Sequence, residues 1–247
     1  MAIIKEGSIR HFSVNAPEVL KKEMPHLKMV NQFSLLEQVS SKVRDEEFDY
    51  LESKEERGVG LKAIKLTKGF EGNLEDLFNK QNEVYFLAWC WDLSGKPIHI
   101  YPGSAEEIGK LIIPMVENDV REFIGQGVNL FPKRKIKGGI AVRIQIWESD
   151  HKARENGRIL EEVTNAINQS KLNNLLTLTL AGGVSAGTIP AITTAAFTLS
   201  QIIAKILKEN SDDYVDFFEG YYAADQPWIT GNDPIHGVNS EIVLNKY

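Results

Sequence analysis

The chain has 247 residues, of which 43% are hydrophobic and 25% are charged, and its formal net charge at pH 7 is −6. These values are ordinary for a globular protein, so they exclude global disorder and allow a sizeable hydrophobic core. The negative balance argues against a broad nucleic-acid-binding face, which needs an excess of basic residues, and we expect no nucleic-acid partner.

The cysteine content and the first residues bear on the compartment. Cys90 is the only cysteine, so no disulfide can form within the chain, which fits a reducing environment. The first residues contain no apolar stretch long enough for a secretory signal. We therefore expect a cytoplasmic protein, or one exported by a dedicated machine without a signal peptide.

Residues 1–57 read as an N-terminal extension. Apolar residues recur there at helical spacing, at Leu27, Val30, Phe33, Leu36 and Val39. A strongly charged run then leads to Gly58, where the pattern becomes strand-like. The spacing predicts a partly helical extension, followed by a main domain over residues 58–247.

Strands dominate the main domain. Residues 84–91 are apolar on both faces, which predicts a central strand covered on both sides. The turn residues at 92–97 link this segment to a short strand at 98–101, as in a hairpin. Residues 140–147 alternate between apolar and other side chains, which predicts a half-buried antiparallel strand. Residues 241–244 read as a closing strand.

Two helical insertions interrupt the strands, at about 104–124 and 159–209. The first begins at a capping box formed by Ser104 and Glu107, and its apolar spacing continues through Met115 and Val116.

The second insertion contains a segment, 172–204, that has no charged residue and no histidine. Its length alone would suit a membrane span, but threonines, asparagines and the Gly182-Gly183 pair interrupt the apolar pattern. We interpret it as two apolar helices, 172–181 and 191–207, buried against the sheet. The alternative is a masked hairpin that inserts into a membrane after a trigger.

Few residues indicate chemistry. The five histidines show no metal-ligand spacing, and Cys90 lies in an apolar strand where a thiol is usually inert. The run Lys133-Arg134-Lys135-Ile136-Lys137 is either a small basic patch or the solvated start of a strand. We assign no catalytic residue and identify no small-molecule substrate.

Acidic residues follow the strand that ends at Trp147. Glu148 and Asp150 stand two positions apart, and Glu155 comes a few residues later. Carboxylates two positions apart on extended backbone point to one side, and Ca²⁺ takes six to eight oxygen ligands. This spacing predicts the beginning of a hard-cation site.

Residues 144–157 resemble the C2-domain pattern of a strand ending in Trp, then an acidic-x-Asp pair, then an acidic turn. Residues 61–66, the acidic loop after them and 82–86 resemble the C2 strand, first calcium loop and next strand. The resemblance implies an antiparallel C2-like β-sandwich with Ca²⁺ as the candidate cofactor. The implied metal ligands are Glu83, Glu148, Asp150 and Glu155, with Glu at 83 and 148 where the pattern has Asp.

The leading functional hypothesis is a non-enzymatic binding or interaction module whose loops face a protein or membrane partner. The alternatives are a membrane-acting toxin or effector that uses residues 172–204, and an enzyme of unrecognised type. Trp228 lies in a loop rich in Pro and Gly, where it is either an exposed contact for a partner or membrane or a cap on the core.

Overall fold

The computed structural model of the chain describes residues 9–12, 47–48, 51–68, 82–103, 112–149, 153–182, 184–185, 188–209 and 213–247. The strands are β1 (Ile9–Phe12), β2 (Glu47–Phe48), β3 (Arg57–Leu66), β4 (Asn82–Trp91), β5 (His99–Tyr101), β6 (Ile113–Met115), β7 (Val120–Glu122), β8 (Val128–Arg134), β9 (Gly139–Glu148), β10 (Val184–Ser185), β11 (Asp213–Ala223), β12 (Gly231–His236) and β13 (Ser240–Lys246). The helices are α1 (Ala153–Asn168), α2 (Lys171–Gly182) and α3 (Thr188–Glu209).

Two antiparallel sheets form the body of the protein. The first sheet has six strands in the order β1-β11-β9-β4-β5, with β6 also paired to β4. The second sheet has five strands in the order β12-β13-β3-β7, with β8 also paired to β3. The predicted fold class is confirmed: the chain is mainly β, in two antiparallel sheets, with helical insertions.

Hydrophobic cores lie on both faces of the first sheet. Alternate residues of β4 (Val84, Phe86, Ala88 and Cys90) belong to the core between the two sheets. The intervening residues (Tyr85, Leu87, Trp89 and Trp91) belong to a second core beneath the helices. The prediction that this strand is covered on both sides is therefore confirmed, and the molecule has three layers.

The antiparallel strand predicted at 140–147 is confirmed as β9, but the prediction that it is half-buried was wrong. The apolar side chains of β9 face the second sheet, as their alternation required. The intervening positions are not solvated, however, because the helices cover them: Arg143 is 5% exposed and Gln145 is 2% exposed. Arg143 has a polar partner in α3, Ser200, and Gln145 Oε1 accepts a hydrogen bond from Trp147 Nε1, so neither polar residue marks a solvent face.

The helical hairpin predicted over 172–181 and 191–207 corresponds to α2 and α3. Helix α3 begins earlier than predicted because Pro190 lies in its first turn, where a missing N–H costs nothing. Helix α1 likewise begins at Ala153, before the predicted start of the insertion. Among the described residues, no helix is long and apolar enough to span a membrane. Insertion after a trigger stays a hypothesis.

The helical insertion predicted over 104–124 is wrong in its second half. Residues 113–115 and 120–122 are the strands β6 and β7, and Pro114 would interrupt a helix there because it has no N–H to donate. Residues 104–111 lie outside the described residues.

The described parts of the N-terminal extension contain two short strands, and residues 51–56 lead into β3 without forming a strand. Strand β1 pairs with β11 at the edge of the first sheet, and β2 pairs with β10 between α2 and α3. The helical pattern predicted around Leu27 to Val39 lies outside the described residues.

Candidate ligand-binding groove

The structure brings two of the predicted calcium ligands to one end of the first sheet. Val84 is the register partner of Glu148, and the Ser149 N–H donates to the carbonyl of Glu83 at 2.8 Å. Neighbouring residues of a strand point to opposite faces, so Glu148 shares a face with Val84 and Glu83 points away from it. Glu148 is 3% exposed, whereas Glu83 is exposed.

The structure does not describe the side chains of the other two predicted ligands. Asp150 lies outside the described residues, as does the side chain of Glu155 in α1. The described part of the chain contains no group of three His, Cys, Asp or Glu side chains that could hold a metal ion. Glu83 and Glu148 do not converge, so the calcium site stays a prediction.

Trp228 lies at the margin of the core between the sheets. Its Nε1 donates to the carbonyl of Tyr247 at 3.3 Å, and its ring meets Tyr222 edge-on with centroids 5.6 Å apart. The guanidinium of Arg57 lies 5.2 Å from the ring centroid. The indole is half-buried, while the next residue, Ile229, is 74% exposed.

A groove of about 460 Å³ lies at the other end of the sandwich, where β4 and β8 end and β9 begins. Strand β4 has ten residues and spans roughly 33 Å at 3.3 Å per residue, so this groove is far from Glu83 and Glu148. Its lining residues are Glu52, Glu56, Ser94, Lys96, Arg134, Lys135, Ile136 and Lys137.

Asp92 fixes one side of the groove. This carboxylate is fully buried and accepts hydrogen bonds from Arg134 Nη2 (3.0 Å), the Lys137 N–H (3.2 Å) and Ser94 Oγ (2.7 Å). The Arg134 guanidinium also lies 4.4 Å from the centroid of the Phe131 ring. Asp92 therefore ties the turn after β4 to the end of β8 and neutralises the arginine.

Ser53 fixes the other side. Its N–H donates to the carbonyl of Ile136 at 2.9 Å, and its Oγ accepts from the Ile136 N–H at 3.0 Å. Glu52 forms a β-bridge with Lys137. The backbone from Arg134 to Lys137 is thus bonded on both sides, and the groove has a fixed floor.

Three lysines of the groove form no ion pair with other described residues. Lys96 and Lys135 are exposed and Lys137 is half-buried. Within the described part of the chain, none of these three ammonium groups has a hydrogen-bond or ion-pair partner. Three free donors on a fixed backbone suit the recognition of carboxylates or phosphates.

Other buried ionisable groups hold the layers together. Arg143 in β9 donates to Ser200 Oγ in α3 at 3.0 Å and pairs with Glu219 in β11. Burial lowers the pKa of Arg143, and Glu219 opposes that shift. The guanidinium lies 5.4 Å from the Trp91 ring centroid. This arginine links the helices to the first sheet.

Asp216 joins the two sheets. It is fully buried in β11 and accepts hydrogen bonds from the Val238 N–H (3.3 Å), the Asn239 N–H (2.9 Å) and Ser240 Oγ (2.7 Å). Two of these donors belong to the turn between β12 and β13, and Ser240 is the first residue of β13. The carboxylate therefore holds this turn of the second sheet against the first sheet.

Sequence reasoning gave only part of the groove. The basic run 133–137 was recognisable, but its neighbours Glu52 and Lys96 come from distant segments. The available signal was Asp92, a carboxylate directly after an apolar strand, since such a position often caps a turn. Its pairing with Arg134 depends on the sheet topology.

No protein-family model matches the chain, and no curated protein matches it.

Proposed function

We propose that the chain is a non-enzymatic binding module that holds an acidic segment of a protein partner in the groove at residues 52–56, 94–96 and 134–137. The observation that carries this proposal is the set of three lysines without partners on a backbone fixed from both sides. A partner that supplies carboxylates would satisfy donors that the described fold leaves unused.

The groove favours a short peptide segment over a nucleic acid or an anionic membrane. The whole chain carries a net charge of −6, so a long polyanion that extended past the groove would meet a surface of the same sign. Two glutamates at the groove would also oppose a flat anionic surface. A short segment reaches the lysines without those contacts.

The scaffold of this module is proposed to be C2-like. Support comes from β9, which ends in Trp147-Glu148 beside the start of β4, in agreement with the resemblance of residues 144–157. Calcium binding near Asp150 belongs to the same proposal, and a thermal melt with EDTA and then with Ca²⁺ tests it. A metal that binds only the folded state raises the melting temperature.

The groove is tested with a fluorescein-labelled peptide of six glutamates, the acidic probe, by fluorescence anisotropy at about 0.05 M salt, where screening is weak. The triple variant K96A/K135A/K137A should bind about tenfold more weakly. Exposed ion pairs contribute roughly 0.5 kcal/mol each, and about 1.4 kcal/mol corresponds to tenfold.

The matched control is K68A/K171A/K205A, which changes the net charge equally at exposed positions away from the groove. Unchanged binding in K96A/K135A/K137A, or an equal loss in the control, would refute the groove as the site. A single-stranded oligonucleotide and vesicles containing phosphatidylserine are tested in parallel. Binding of either one that depends on the three lysines and exceeds peptide binding would replace the acidic segment as the partner.

A further inference from the structure

We infer that the groove selects a segment of mixed charge, in which a basic residue accompanies the acidic ones; this rests on the proposed function. Glu52 and Glu56 line the same groove as the lysines, and both are exposed. Within the described residues, neither carboxylate forms an ion pair or accepts a side-chain hydrogen bond.

The fold keeps Glu56 without a cation although Arg57 follows it directly. The Arg57 guanidinium is turned inward, where it pairs with Glu55 and donates to the carbonyls of Ala223 and Ala224 at 2.8 and 3.0 Å. It donates to a third carbonyl in the same loop at 2.8 Å. Arg57 therefore forms no ion pair with Glu56.

The lysines do not neutralise these glutamates either. No ion pair within 4.0 Å joins Glu52 or Glu56 to a lysine of the groove, among the residues described. Since Glu52 and Lys137 are joined only through their backbones, the fold holds charges of both signs side by side without pairing them.

This arrangement discriminates between ligands. A purely acidic segment gains from the three lysines but is repelled by the two glutamates, because like charges placed together are unfavourable. A segment that also carries lysine or arginine can form ion pairs with both the lysines and the glutamates of the groove. The glutamates thus repel a purely acidic segment and attract the basic residue of a mixed segment. Specific recognition commonly uses both repulsion and attraction.

The test compares the acidic probe with a mixed probe, in which one glycine and two lysines follow the same six glutamates. Simple attraction to a cationic groove predicts weaker binding of the mixed probe, because its net charge is smaller. We expect the opposite: the wild type should bind the mixed probe about fivefold more tightly, the size expected of two exposed ion pairs.

The variant E52Q/E56Q should abolish this preference and should not weaken binding of the acidic probe. The control E161Q/E162Q changes the net charge equally on exposed positions of α1 and should leave the preference intact. A wild type that prefers the acidic probe, or a preference that persists in E52Q/E56Q, would overturn the inference. The proposed function would still stand in that case, because the lysine variant, its control and the two alternative ligands test it separately.

Discussion

Arg143 and Glu219 should respond unequally to truncation, although they form one ion pair. The Arg143 side chain is 6% exposed and that of Glu219 is 33% exposed. Glu219→Ala leaves a buried cation without its anion, a change that costs about 3–5 kcal/mol for a fully buried pair. Water reaches the side vacated by the partly exposed glutamate, so we expect a loss of about 2–3 kcal/mol.

Arg143→Met removes the buried charge instead. Ser200 Oγ keeps its hydrogen bond to the carbonyl of Ala196 at 3.0 Å, and the partly exposed Glu219 is free to hydrate. The Nε of Arg143 has no hydrogen-bond partner, so that part of its desolvation is uncompensated. Replacing a buried ion by an apolar side chain of similar length is often neutral, and we expect a change within about 1 kcal/mol.

Urea denaturation with linear extrapolation measures both free energies of unfolding. The double variant R143M/E219A should be more stable than E219A alone by about 2 kcal/mol, since the stranded charge is gone. If R143M lost more stability than E219A, the buried arginine would be a net stabilising group. The reasoning from unequal burial would then be refuted.

Three further outcomes are expected. Asp216→Ala should cost about 3–6 kcal/mol in the free energy of unfolding, because two short hydrogen bonds to a buried carboxylate are lost at roughly 1.5–3 kcal/mol each and the donor residues Asn239 and Ser240 stay buried; a cost under about 1 kcal/mol in urea denaturation would contradict it. Asp92→Ala should lower the free energy of unfolding by about 2–4 kcal/mol, because Arg134 loses its buried acceptor; stability equal to the wild type in urea denaturation would show that this pair contributes nothing. Burial raises the pKa of the Cys90 thiol from 9.0 to about 12, so its contribution to stability is complete below about pH 9 and is lost as the pH rises toward 12. Iodoacetamide at pH 9 should accordingly label unfolded protein and spare the folded state, and rapid labelling of the folded state would contradict the burial.

Local pattern was enough for the central strand and the helical hairpin. The run Val84–Trp91 leaves no polar face, so it had to lie between two layers. The segment 172–204 lacks charge and is interrupted by Gly182, so its two helices had to be buried side by side. In both cases, the hydrophobic pattern of adjacent residues was sufficient to predict the element and its burial.

Local pattern misled where polar residues are buried. Arg143 and Gln145 gave β9 the alternation of a half-solvated strand, but both are buried, and Arg143 contacts α3. Ser200 is 57 residues away from Arg143 along the chain, and nothing near either residue indicates that they meet. Only the packing of helix on sheet makes a charged side chain acceptable at that position.

The candidate site was predictable only in part for the same reason. The basic run 133–137 was visible, but the choice between a solvated strand and a binding patch depends on Glu52, Asp92 and Lys96. Two separate segments bring these residues to the run: the residues before β3 and the turn after β4. For the carboxylates predicted as metal ligands at the other end, the sequence did not show on which face of the sheet each one lies. The strand pairing places Glu83 and Glu148 on opposite faces.

The helical layer covers most of the intrinsic fluorophores of the protein. Three of the four tryptophans (Trp89, Trp91 and Trp147) belong to the core beneath the helices, whereas Trp228 packs at the margin of the other core. Movement of the helices away from the sheet would therefore transfer most of the indole groups to water and shift their emission to the red. Loosening of the second sheet would affect mainly one indole. The unlabelled protein thus carries its own optical reporter for separation of the helices from the sheet, including separation at a membrane.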